Sequence, residues 1–287
     1  MRAIFEKEFK SFFNNMSGYI FCTFVLLFAG IYTMALNLKQ GSANFEYVLG
    51  NMSFVYLVAI PVLTMRIISE DRHQKTDQLY YSLPLKMTEV VLGKYFAMLA
   101  VLAIPTVIIG IYPLILKAFG NVTFFAAYGT LLAFFMMGAA LTAVGMFISA
   151  LTENQAISAV ICLIVMLVSY YISAIADLVS VSSTVSMVTI TVIALIIAAV
   201  IWYMVKSGLA ALIFLAVAEL AAVIVKSVSP DLMRGFLPKL LNSFSIFNKF
   251  YTFPNGVFDI TALVYFIAVA AVFVYLTVQA MEKRRWS

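Results

Sequence analysis

The chain has 287 residues, of which 64% are hydrophobic and 11% charged, whereas a soluble globular domain carries about 25% charged residues. A water-soluble core of this size cannot hide so much apolar surface, so composition excludes a soluble globular fold and points to lipid as the solvent. The net charge of +5 does not indicate a nucleic-acid partner, because the basic residues lie in short segments between apolar runs, a pattern of membrane topology.

The first element, Met1–Asn15, repeats Phe5, Phe9, Phe12 and Phe13 at helical spacing, with Glu6, Lys7, Lys10, Ser11 and Asn14 largely between them. This spacing predicts an amphipathic helix lying along the membrane interface. Apolar runs of about 20 residues then follow, each long enough to cross a bilayer as a helix. The first is Ser17–Leu36; no small-residue cleavage site follows it, so it is expected to remain as a span. The second is Phe45–Ile67.

Between the second and third spans lies the densely charged segment Arg66–Lys94, with helical spacing from Glu70 to Tyr81 and a stop at Pro84. Leu79 and Tyr80 make one end of this short helix apolar. The segment reads either as a solvated connector or as a docking helix for a soluble protein. The adjacent Glu70 and Asp71 read as a solvated charge cluster rather than an acid/base pair.

Six further spans are expected: Val91–Leu116, Ala126–Ala150, Ala156–Ala176, Val185–Val205, Leu209–Val225 and Ile260–Ala280. Only Lys206-Ser207-Gly208 separates the sixth from the seventh, so six crossings are the alternative to eight. Glu219 lies inside the seventh. A carboxylate in lipid is costly, so it must face protein or water. It reads as a cation or proton site, or as a polar contact between helices, the commoner case. The segment 226–259 before the last span spaces Leu232, Phe236, Leu240 and Phe244 by four and predicts one or two short interfacial helices. With eight spans, 12 of the 18 Lys and Arg residues fall on the side of the termini, which predicts cytoplasmic termini.

Several chemistries are missing. No G-x-x-x-x-G-K-[ST] sequence occurs, so the chain is not expected to hydrolyse ATP. His73 is the single histidine, and Cys22 and Cys162 sit apart in apolar runs as core residues, so no metal or redox site is expected.

The segment Thr64-Met65-Arg66, Glu70-Asp71-Arg72, Thr76, Leu79, Ser82-Leu83-Pro84 and Val91-Leu92-Gly93-Lys94 resembles the permease subunits of ABC-2 type transporters. Lys7-Glu8-Phe9 through Gly18-Tyr19-Ile20 and Ser149–Gln155 are similar to the same family. Phe247–Trp286 resembles its gliding-motility-associated branch. Lys75 stands where that family usually has Gly, and Gln78 where it has Glu. The resemblance implies an all-α polytopic bundle forming a single permease domain over 1–287. It implies an interfacial helix over 1–15 and a cytoplasmic coupling loop over 68–90. That loop would dock a separate ATPase subunit through Glu70, Asp71, Arg72, Thr76, Leu79 and Tyr80. It further implies two ATPase copies holding the ATP and Mg, a second permease subunit, a plasma-membrane location and export. The substrate path would lie between the first, second and fifth spans, where Gly18, Ala29 and Gly30 permit close helix approach.

Overall fold

The computed structural model describes residues 1–76, 86–178 and 235–285, with a few positions between 187 and 198. Among the described residues all regular structure is helical. It divides into two compact units, Met1–Val168 with Ile246–Ser287, and Ser169–Ser245. Among the described residues six helices are long and apolar enough to cross a membrane: Ser17–Leu38, Phe45–His73, Met87–Leu116, Phe124–Leu151, Gln155–Leu178 and Ile260–Arg284. They match six of the eight expected spans. The expected spans Val185–Val205 and Leu209–Val225 fall outside the described residues, apart from a few positions of the former.

In the larger unit the chain opens with the amphipathic helix α1 (Arg2–Asn14). Ile4, Glu8 and Phe12, spaced by four, form its buried face. Phe5, Phe9 and Phe13 form a half-buried aromatic ladder beside it, with ring centroids 5.9 and 5.2 Å apart. A turn with Met16 at φ 61° leads into α2 (Ser17–Tyr32). Gly18 permits that elbow, since a Cβ there would lie 3.1 Å from the Phe12 carbonyl oxygen. Ala29 is buried, whereas Gly30 meets nothing within 4 Å. The first span ends as a π-helical turn, Thr33–Leu38.

The second span is segmented: α3 (Phe45–Met52), a 3₁₀ turn (Ser53–Val55), α4 (Tyr56–Thr64) containing Pro61, and α5 (Ser69–His73). The remaining elements are α6 (Met87–Ile109), α7 (Tyr112–Leu116), α8 (Phe124–Leu151), α9 (Gln155–Leu178), α10 (Phe236–Ser243), α11 (Ile246–Phe250) and α12 (Ile260–Arg285). The short helices α10 and α11 fall within the segment 226–259. Of these, α10 belongs to the smaller unit.

The second and fourth spans form the core of the larger unit. Most residues of their apolar stretches are buried, whereas the first and last spans bury few and turn large apolar side chains outward as a lipid surface. Tyr56 stacks on Phe134 at 4.3 Å. Close approach of α4 to α8 requires glycine at two points. A Cβ on Gly138 would crowd Tyr56 and Leu102, and one on Gly145 would overlap Thr64. Such small-residue contacts replace the hydrophobic effect as the packing device in lipid.

Candidate functional site

One end of the larger unit gathers α1, the start of α6, α5 and the end of α8. Lys94, eight residues into α6, is its centre. The Lys94 side chain is 1% exposed. An isolated ammonium in such a place would be prohibitively costly. Its Nζ donates to Glu8 Oε1 at 2.8 Å and to the Ile67 carbonyl at 2.8 Å, and is ion-paired with Asp71 Oδ2 at 2.7 Å. Two hydrogen bonds and a close carboxylate compensate the buried ammonium. Lys7 Nζ lies 3.7 Å from the same Glu8 oxygen, so two cations and two carboxylates balance.

Helix α1 can reach Lys94 because of Gly93. A Cβ there would come within 3.1 Å of the Ile4 side chain and 3.2 Å of the Met1 carbonyl oxygen. The buried face Ile4–Glu8–Phe12 therefore lies on the first turns of α6, and Glu8 meets the lysine one residue further along.

The short helix α5 is fixed at both ends. At its start, Ser149 Oγ on α8 accepts from the backbone N–H groups of Ile68 (3.2 Å) and Ser69 (3.1 Å) and donates to the Met65 carbonyl. This bridges the break between α4 and α5. At its end, Thr76 N–H donates to Asp71 O and Lys75 N–H to Arg72 O, the paired bonds of a Schellman cap. The residue that cap places in the left-handed region is Lys75, at φ 58°. Thr76 Oγ1 adds bonds to the carbonyl and carboxylate of Asp71.

Of the helix expected over Glu70–Tyr81, the described part ends at His73 with a cap over Gln74–Thr76, and residues 77–81 lie outside the described residues. The expected solvated Glu70–Asp71 cluster separates into two roles. Glu70 pairs with Arg66 at 2.7 Å near the surface, while Asp71 turns inward to Lys94. Arg72 is buried rather than presented outward. The structure thus brings Glu70 and Asp71 to one cleft with Phe12 of α1, with Thr76 bonded to Asp71. Leu79, Tyr80 and Glu219 lie outside the described residues.

A polar cleft of about 320 Å³ opens between α1 and the segment 66–74, lined by Lys7, Ser11, Asn15, Arg66, Glu70 and Gln74 among others. On the same end, Arg284 near the end of α12 pairs with Glu153 in the connector after α8. The hydrogen bond and charge of Arg284 lower the Glu153 pKa. Both ends of the chain therefore share one end of this unit.

Sequence reading missed Glu8, Lys94 and Ser149 as site residues. A signal existed for two of them. Lys94 is the one charge inside Val90–Ile109, and Glu8 is the acidic member of an otherwise apolar i, i+4, i+8 series. No Ser149 signal could be told from an ordinary small residue in a packed helix.

A bundle of apolar spans with a charged, internally paired assembly at one end defines a polytopic membrane protein. Residues 29–186 match the family described as ABC-2 family transporter protein. The chain belongs to that family and is the membrane permease component of an ABC transporter. Permeases of this family typically work with an ATPase partner. A comparison with curated proteins gave no match.

Proposed function

We propose that the chain is an exporter permease of the gliding-motility-associated branch, driven by two separate ATPase subunits that dock on the Glu70–Pro84 loop. ATP and Mg bind those subunits, and a second permease, of the same or another kind, completes the path. The end bearing α1, α5 and the chain termini faces the cytoplasm at the plasma membrane, in keeping with its richness in Lys and Arg.

The observation that carries this reading is the Lys94 cluster. It ties α1 and α5 to the third span through buried charges, so a push on the loop after α5 is delivered to a span rather than absorbed by a loose connector. Asp71, Arg72 and Thr76 then act inside the permease by shaping the loop. Glu70, Leu79 and Tyr80 are the residues left for the ATPase.

The test is co-purification with the ATPase subunit from cells expressing both chains. Leu79→Asp should release the ATPase while the permease still inserts. Retained assembly, or transport that follows an ion gradient and ignores ATP depletion, would overturn the proposal. The latter result would favour an ion-coupled carrier using Glu219.

A further inference from the structure

We infer that Glu46, with Thr33 and Asn37, forms a binding site for a sodium-sized cation at the turn joining the first two spans. Glu46 lies in the first turn of α3, at the end of the bundle opposite Lys94. It is 8% exposed. Its Oε2 is buried and accepts no hydrogen bond, and no Lys, Arg or His among the described residues forms an ion pair with it. Buried polar atoms nearly always have a partner, so a buried carboxylate oxygen without one calls for a functional explanation.

Two further buried oxygens share this condition. Asn37, 4% exposed, donates through Nδ2 to the Ser42 carbonyl at 2.7 Å. That bond fixes the amide, because the reverse orientation would set oxygen against oxygen. Its Oδ1 is left without a partner, as is Thr33 Oγ1 four residues earlier. Both stand on the π-helical turn Thr33–Leu38, and α3 packs directly against that turn. No hydrogen bond links any two of the three oxygens.

Apolar and aromatic side chains pack around the start of α3. Phe45 is fully buried and meets Tyr112 edge-on at 6.3 Å. Gly50, one turn along from Glu46, sits against Pro254, and Ser53 meets the Tyr251 hydroxyl at 3.0 Å. The nearby basic side chains are engaged or outward: Lys117 lies over the Phe124 ring and Lys39 is exposed.

One carboxylate and two neutral oxygens are hard donors with a single negative charge. That set suits an alkali cation better than a divalent one, which draws several carboxylates or waters. Departures from α geometry are frequent at functional sites, and broken membrane helices supply such oxygens to Na⁺ elsewhere. The cation would fasten the π-helical end of the first span to the start of the second.

The full chain, in nanodiscs of phosphatidylcholine in choline chloride, should bind ²²Na⁺ saturably, with displacement by unlabelled NaCl. NaCl should raise its melting temperature where choline chloride does not. Glu46→Gln keeps the shape and removes the charge; it should weaken ²²Na⁺ binding about 10-fold or more and abolish the NaCl effect on melting. Thr33→Val keeps the charge and removes one oxygen, and should weaken binding by a smaller factor. Absence of saturable ²²Na⁺ binding, unchanged binding in both variants, or displacement by Ca²⁺ at far lower concentration than by Na⁺ overturns the inference.

Discussion

Lys75 shows what a single residue costs and hides. The cap that ends α5 places it at φ 58°, where an L-residue is less stable by roughly 1–2 kcal/mol. Glycine at this position would remove that strain, offset in part by its greater freedom in the unfolded chain. Lys75→Gly should therefore raise stability by about 0.5–1 kcal/mol, read as a higher melting temperature of the detergent-solubilised chain. Lys75→Ala, which keeps the strained Cβ, should give no such gain. The resemblance marked this position through the family's usual glycine, but nothing in the local sequence announces a helix end at a lysine. The neighbouring carboxylates were legible as charges and not as roles. Adjacent residues on a helix differ by about 100° in direction, which is enough to send Glu70 to Arg66 at the surface and Asp71 to the buried Lys94.

At the scale of elements, the spans were readable because lipid imposes a length of about 20 apolar residues on each crossing helix. Their segmentation was not. The break between α4 and α5 rests on Ser149 reaching across from α8, and the π-helical turn of the first span has no periodic signature. Which glycines matter was equally unreadable, since it depends on the facing helix. Gly145 lies against Thr64 with no room for a Cβ, whereas Gly30 meets nothing within 4 Å. Gly145→Ala should destabilise by roughly 1–3 kcal/mol through overpacking. Gly30→Ala should leave stability unchanged or higher, because alanine favours helix. Paired melting curves in one detergent check the contrast.

For the whole molecule, the Lys94 cluster joins three parts of the chain that are far apart in sequence. Glu8 comes from the N-terminal helix α1, Asp71 from the end of the second span and Lys94 from the third. A buried pair of this kind contributes little net stability compared with apolar packing, yet removing one partner leaves uncompensated charge. Lys94→Met strands the Asp71 carboxylate and leaves Glu8 with Lys7 alone, and should cost on the order of 3–5 kcal/mol. The loss should appear first as faster amide exchange in α1 and α5, while the second and fourth spans, held by Tyr56, Phe134 and Gly138, stay protected. Adding Glu8→Gln to Lys94→Met removes one of these carboxylate charges and should recover part of the loss, a coupling that a double-mutant cycle measures directly. If α1 exchanges no faster in Lys94→Met than in the parent chain, its position is set by the Gly93–Ile4 contact alone, and the buried charges do not link the loop to the spans.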